Sequence, residues 1–278
     1  MNNKYVYHFT KYENFKNIIE GDNLRISSMK NMNDINESTI QYPKSLTYVD
    51  EKTNNDLKEK YLRRMGNDEE IYKEHIQAET EISELFKRLY SISFVEIDKE
   101  DDIEECDLLW AHYGDCYRGV AIRFNKENLN KLLDEQYYSK SAKGNIKYVT
   151  KDKLKVAITR TFEEFMVSKE SEINVQEFFI KSNYFHKLKC WDYENEYRFL
   201  LYSHSYQDGV SYLELKNIKS AIDKIFIGVN GDFDKYSEIL KVNNLHNIYI
   251  KRCYDIWGKE SGKEIEDRTF ELFRQIKK

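Results

Sequence analysis

The stretch Tyr193-Glu194-Asn195-Glu196-Tyr197-Arg198 follows Trp191 and runs into the apolar Phe199-Leu200-Leu201-Tyr202. Read as the opening of a strand, it sets Glu194 and Glu196 two residues apart and therefore on one face. Two carboxylates side by side at the edge of a core repel unless solvated or partnered, and the pairing raises the pKa of at least one of them. The chemistry they offer is a charged carboxylate beside a developing cation, with a second carboxylate to orient or deprotonate a nucleophile. A plainer reading of the same residues is the start of a strand in which Glu194 or Glu196 pairs with Arg198.

Other reactive or ligand-holding side chains lie far from this stretch. His8 and Thr10 stand in Tyr7-His8-Phe9-Thr10, where a histidine serves a ligand through one ring nitrogen or is a satisfied core residue. Asn33, Asp34 and Glu37 fall in a polar loop and suit either a site or a turn with a helix N-cap. Trp110 and Trp191 act as core anchors or as stacking surfaces. Arg198 can bind a phosphate oxygen or pair with a neighbouring carboxylate. Scattered Asp34, Glu37 and Glu196 would also suit a divalent cation in a nuclease or hydrolase. Cys106, His112 and Cys116 are spaced too irregularly for a metal site, and none is expected. Neither Gly-x-Gly-x-x-Gly nor a P-loop occurs among the 10 glycines, which speaks against a Rossmann dehydrogenase and a nucleoside triphosphatase.

The elements that must position these residues follow from periodicity. Strands are predicted at 7–10, 24–28, 90–95, 119–124, 146–149, 197–202, 211–215, 224–229 and 247–251. Helices are predicted at 12–19, stopped by Gly21, and at 125–136, 233–242 and 264–276. Longer helical stretches are predicted at about 53–89 and 153–186, as insertions into a single domain. Glu96 to Asp107 reads as a solvated acidic loop. Several strands lack intervening helices, so the expected class is α+β, with a mixed or antiparallel sheet split around a cleft.

Composition narrows the classes further. The 278 residues carry 44 Lys+Arg against 49 Asp+Glu, a net charge of −5, which argues against a general nucleic-acid-binding surface. A local basic strip does exist, at Lys140, Lys143, Lys147, Lys151, Lys153 and Lys155. It reads as a solvated face or as a docking strip for an acidic partner or an RNA backbone. No apolar stretch approaches a membrane span, and the polar N-terminus does not read as a signal peptide. Four cysteines without Cys-x-x-Cys spacing fit reduced thiols, so a cytoplasmic chain away from membranes is expected.

Four blocks in order carry a resemblance: Tyr7-His8-Phe9-Thr10, Asn33-Asp34-Ile35-Asn36-Glu37, Trp110 to Phe124, and Trp191 to Arg198. Together they resemble the bacterial family of domain of unknown function 2971. Gly114 stands where that family usually has Ala, and Val95 where a Ser commonly follows Ser-Phe. The family in turn looks like a divergent branch of the ADP-ribosyltransferases, which hold a His or Arg on their first core strand, a Ser or Tyr on a middle strand and a Glu on a late strand. The resemblance implies NAD as substrate and cleavage of its nicotinamide N-glycosidic bond through an oxocarbenium-like transition state. It implies Glu196 as the carboxylate beside the ribose, Glu194 facing the nucleophile, and His8, Thr10 and Arg198 around NAD. Ser93 and Tyr113 compete for the middle position, and Asn33, Asp34, Glu37 and Trp110 would line the surrounding loops. His8, Tyr113 and Glu196 should then share one pocket. A toxin or phage-defence effector modifying a protein or nucleic acid is the implied role, with a non-catalytic nucleotide-binding module of the same fold as the alternative.

Overall fold

The computed structural model describes residues 4–34, 73, 77, 80, 83–84, 86–137, 141–157, 184–203, 211–245 and 248–252. The chain opens with β1 (Tyr5–Thr10) and α1 (Tyr12–Gly21), whose Phe15, Ile18 and Ile19 are buried at helical spacing. Asp22, in the left-handed region at φ 49°, ends α1 and turns the chain into β2 (Asn23–Ser28). Next come β3 (Leu89–Val95), the short α2 (Asp107–His112), β4 (Val120–Asn125) and α3 (Lys126–Tyr137). Then β5 (Ser141–Asn145), β6 (Lys147–Val149) and β7 (His186–Leu188) lead to β8 (Glu196–Tyr202). The described part closes with β9 (Tyr212–Lys216), β10 (Ile222–Ile227), α4 (Phe233–Val242) and β11 (Tyr249–Arg252). Asp232 caps α4 by accepting from the Lys235 amide, which satisfies one of the free N–H groups at the helix start.

Nine strands form one sheet, with β11-β10-β4-β1-β3-β2-β9 as its main path. β8 pairs β3 along its whole length, Leu89 to Val95, and carries β5 on its far side. Both β1 and β2 therefore use the other edge of β3. β1 meets it at Val95, and β2 at Tyr90 and Ser91. Between those contacts the two strands diverge from a shared edge. Only β10–β11 and the separate ribbon β6–β7 are parallel among the described pairs, so the class is α+β with a mostly antiparallel sheet.

One face of the sheet carries the main core, where Val6, Phe94, Phe124, Phe199 and Ile225 meet α1, α3 and α4. The opposite face carries two smaller clusters. Tyr7, Phe9, Leu109, Trp110 and Phe226 form one, and Met29, Leu89, Ile146, Phe185 and Leu200 the other. β8 is buried on both faces, which explains its unbroken apolar run.

The structure corrects several expectations. The strand predicted at 146–149 is β6, and β5 precedes it without having been predicted; between the two, Ile146 donates its amide to the Glu196 carbonyl. Residues 100–105 form a 3-10 helix pinned to the sheet: Ile103 is fully buried and Glu100 pairs with Arg123 and Lys224. Residues 151–157 and 184 are helical, in keeping with the helical stretch predicted at about 153–186, and His186 begins β7; 158–183 lie outside the described residues. Positions 73, 77, 80, 83, 84, 86 and 87 are helical, as predicted for 53–89. The predicted helix at 264–276 lies outside the described residues.

Candidate functional site

Glu194 and Glu196 do not share a strand face as expected. Residues Lys189–Glu194 form a 3-10 helix, and Asn195 takes φ 36° before β8 begins at Glu196. Asn195 is held there by Glu96: its Nδ2 donates to the Glu96 carbonyl at 2.6 Å, and the Glu96 amide donates to its carbonyl at 2.9 Å. Left-handed backbone is tolerated by asparagine better than by most residues. The kink turns the Glu194 carboxylate back toward Glu196 without strand alternation.

Between the two carboxylates sits Lys187, from β7. Its Nζ lies 2.6 Å from Glu194 Oε2 and 2.9 Å from Glu196 Oε2. Glu196 also accepts from Ser93 Oγ at 2.5 Å and from Arg198 Nε and Nη2 at 2.6 and 2.9 Å. The Glu196 amide donates to Tyr148 Oη at 2.9 Å. Burial alone would raise the Glu196 pKa, but the charges of Arg198 and Lys187 outweigh it and bring the carboxyl down to about 2. The expected upward push on this carboxylate is thus reversed, because the like charge is separated from it by an ammonium. Pairing of Glu196 with Arg198, the plainer sequence reading, is present. Arg198, at 0% exposure, also donates to the Tyr184 carbonyl at 2.7 Å.

Glu194 connects this buried group outward. Tyr113 Oη donates to Glu194 Oε1 at 2.5 Å, and Asn33 Nδ2 donates to Tyr113 Oη at 3.1 Å. Burial first, and Glu194 second, push the Tyr113 phenol far above its ordinary pKa, so it stays a proton donor. Tyr193 and His112 hydrogen-bond at 2.9 Å beside it, and the Trp191 ring lies 5.5 Å from Lys187 Nζ. The polar chain Asn33–Tyr113–Glu194–Lys187–Glu196–Ser93 therefore runs from an exposed asparagine into the sheet, between the two small apolar clusters.

Other predicted residues are placed differently. His8 Nδ1 reaches the Ser93 carbonyl at 3.3 Å. A carbonyl only accepts, so Nδ1 carries the hydrogen and Nε2 the lone pair. Alternation along β1 puts His8 on the Val6 side of the sheet, with its ring 5.9 Å from Phe94, whereas Glu196, Arg198 and Ser93 project from the other face. His8 and Glu196 thus meet through Ser93 and not across an open pocket. Thr10 is buried at the end of β1, paired with Val120. Trp110 takes the core-anchor position of its two readings: it is 1% exposed, packs edge-on against Phe9 and donates Nε1–H to the Ile103 carbonyl at 2.8 Å. Asp34 is buried, and Glu37 lies outside the described residues. In the basic strip, Lys147, Lys151 and Lys153 are exposed, Lys143 pairs with Asp134 at 2.8 Å, and Lys140 lies outside the described residues. Among the described residues no three His, Cys, Asp or Glu side chains could hold a metal ion. No described helix is long and apolar enough to cross a membrane.

Sequence reasoning missed Lys187 and Tyr148. A charge count was the available signal. Two carboxylates with one arginine leave a buried excess of negative charge, so a second cation was required. Position alone could not identify it.

The family model described as "Protein of unknown function (DUF2971)" matches residues 109–199. That span contains Tyr113, Lys187, Glu194, Glu196 and Arg198; His8, Asn33 and Ser93 lie before it. No curated protein and no solved structure matches the chain.

Proposed function

We propose that this protein is an NAD-dependent ADP-ribosyltransferase, acting on a protein or nucleic-acid acceptor as a bacterial toxin or phage-defence effector. One observation carries the reading: Ser93 on the middle strand donates to Glu196 on the late strand at 2.5 Å, and β1 with His8 lies directly alongside. These are the three positions that the resemblance to ADP-ribosyltransferases singles out, and their strands are consecutive neighbours in the sheet.

In the proposed reaction the bond from nicotinamide nitrogen to C1′ breaks, and its electron pair leaves with neutral nicotinamide. Ionised Glu196 faces the developing ribosyl cation and accepts from the 2′-hydroxyl. The acceptor's nucleophile adds to C1′ and passes its proton to Glu194. His8 acts from the far face of the sheet, where its Nδ1–H holds the Ser93 carbonyl and so fixes the strand that presents Ser93 to Glu196. Such binding requires Glu196 to exchange one of its cation contacts for the ribose.

A second reading is favoured by a specific observation. Glu196 is 2% exposed, both its oxygens are occupied, and His8 projects from the other face of the sheet. A module that binds a nucleotide without turnover fits that arrangement.

The two readings separate in one experiment, in which NAD or a non-hydrolysable analogue is added and nicotinamide is detected by mass. The transferase releases nicotinamide; the module binds the analogue and releases none. Glu196→Gln should lower release by about 10²-fold or more, the scale of one lost transition-state stabiliser. It also removes a buried charge facing Arg198 and Lys187, at a cost of about 3–5 kcal/mol in stability. Ser93→Ala leaves every charge in place and should lower release about tenfold, the scale of one hydrogen bond. Full activity in both variants would remove Glu196 from the chemistry.

A further inference from the structure

We infer that Lys187 is a positioning residue of this site: its ammonium, wedged between Glu194 and Glu196, fixes their separation and offsets their mutual repulsion. What those carboxylates do rests on the transferase reading, whereas the role of the lysine rests on geometry alone.

Lys187 touches both acids, at 2.6 and 2.9 Å, and all three side chains are at least nine-tenths buried. The remaining oxygens are taken by groups that touch one acid each. Tyr113 donates to Glu194, and Ser93 and Arg198 donate to Glu196. Without Lys187 the two acids would face each other with Arg198 as the remaining buried cation, and the pair would carry one uncompensated negative charge. Such pairs relieve themselves by protonating one member. Other titratable groups facing the pair are Tyr148 from β6 and Tyr193 from the 3-10 helix; His8 approaches only the Ser93 carbonyl. All three are neutral near pH 7 and cannot replace the ammonium.

The fold fixes the lysine by a dedicated device. In the β6–β7 ribbon, Lys187 pairs directly with Tyr148, so both project from the same face. Tyr148 accepts the Glu196 amide, which anchors that face of the ribbon to the first residue of β8. A lysine on a flexible stem is thereby held at a defined point, under the Trp191 ring.

Lys187→Met, Lys187→Arg and the charge-balanced double variant Lys187→Met with Glu194→Gln test this. Nicotinamide release is followed as kcat and KM across pH, and thermal unfolding is followed across the same range. Lys187→Met should lower kcat about 10²-fold, leave KM for NAD within a few-fold, and move the acid limb of both profiles upward by about one pH unit or more. Lys187→Arg should keep the acid limb where the wild type has it. The double variant should regain the Tm lost by the single one, since removing one charge of each sign restores balance. An unmoved acid limb in Lys187→Met, or a double variant no more stable than the single one, overturns the inference and leaves the transferase reading standing. If wild type releases no nicotinamide, that reading falls, and the unfolding arm alone decides the lysine: an unmoved acid limb there overturns its role.

Discussion

At the scale of the residue, the two titratable groups that flank Ser93 respond to acid in separate windows. Burial lowers the His8 pKa from the ordinary 6.5, partly offset by its bond to the Ser93 carbonyl. The unfolded chain therefore binds a proton near pH 6.5 that the folded chain does not, and stability falls as pH drops below 6.5. Glu196 acts lower. Its folded pKa is about 2 against an ordinary 4.5, so the stability it contributes is complete above 4.5 and is lost as pH falls toward 2. Acid unfolding followed by Tm should accordingly weaken in two stages. His8→Asn keeps a donor for the Ser93 carbonyl and has no imidazole, so it should flatten the decline between pH 6.5 and 5 while leaving the lower stage in place. A decline of unchanged slope in that variant would show that His8 is not the group titrating there.

At the scale of the element, the kink at Asn195 matters more to the site than any helix. Its φ of 36° is adopted with the side chain bound to the Glu96 carbonyl, and Glu96 is itself held by Lys126 and Asn145. Asn195→Gly should keep the backbone path and lose the side-chain bond, at about 1 kcal/mol. Asn195→Ala adds the strain of a Cβ in the left-handed region and should cost about 1–2 kcal/mol more. The same variant should release Glu194 from Tyr113, read as a fall in the Tyr113 pKa. Equal Tm in the two variants would count against strain as the cause. Most strands and helices were legible from periodicity: α4 spans 233–242 as predicted, and β1, β2, β3 and β8 lie within two residues of their predictions. The kink was not legible, because a Glu-x-Glu spacing at the head of an apolar run looks like ordinary alternation. Nor was the left-handed run Asp115, Cys116 and Tyr117, which contains no glycine to announce it. Ser93, Tyr113, Glu194, Glu196 and Arg198 were read as site residues and do converge, but Lys187 resembles any solvated lysine until the ribbon turns it inward. Trp110 was drawn into the site by its neighbours, although a large indole among Leu109, Phe9 and Ile103 is more economically a core anchor.

At the scale of the whole molecule, a nine-stranded sheet must protect its margins, because an open edge is a template for another chain. Among the described residues β9 is the outermost strand beyond β2, and α3 seals it with side chains. The Gln136 amide both accepts from the Lys216 N–H and donates to the Lys216 carbonyl, each at 3.0 Å, as a neighbouring strand would. Tyr137 Oη donates to the Glu214 carbonyl at 2.8 Å, so successive outward-facing positions of the edge are covered. Toward Tyr212, which is 36% exposed, the Arg25 guanidinium lies 4.4 Å from the ring and adds charge. The net charge of −5 is modest for a chain of this length and gives little long-range repulsion at physiological salt. Local edge protection therefore carries much of the burden of keeping copies apart. Gln136→Ala with Tyr137→Phe removes all three edge bonds while keeping the helix formers and the apolar packing of the ring. Far-ultraviolet circular dichroism should be unchanged and Tm lowered by a few degrees, about 1–2 kcal/mol for bonds at a partly solvated edge. Sedimentation velocity should show larger species whose fraction grows with concentration, beyond any seen for the wild type. Like charge along the open edge, as Glu214→Lys beside Lys216 in the same background, should reverse that growth. A double variant sedimenting like the wild type at every concentration would mean that the β9 edge is guarded by something other than these two side chains.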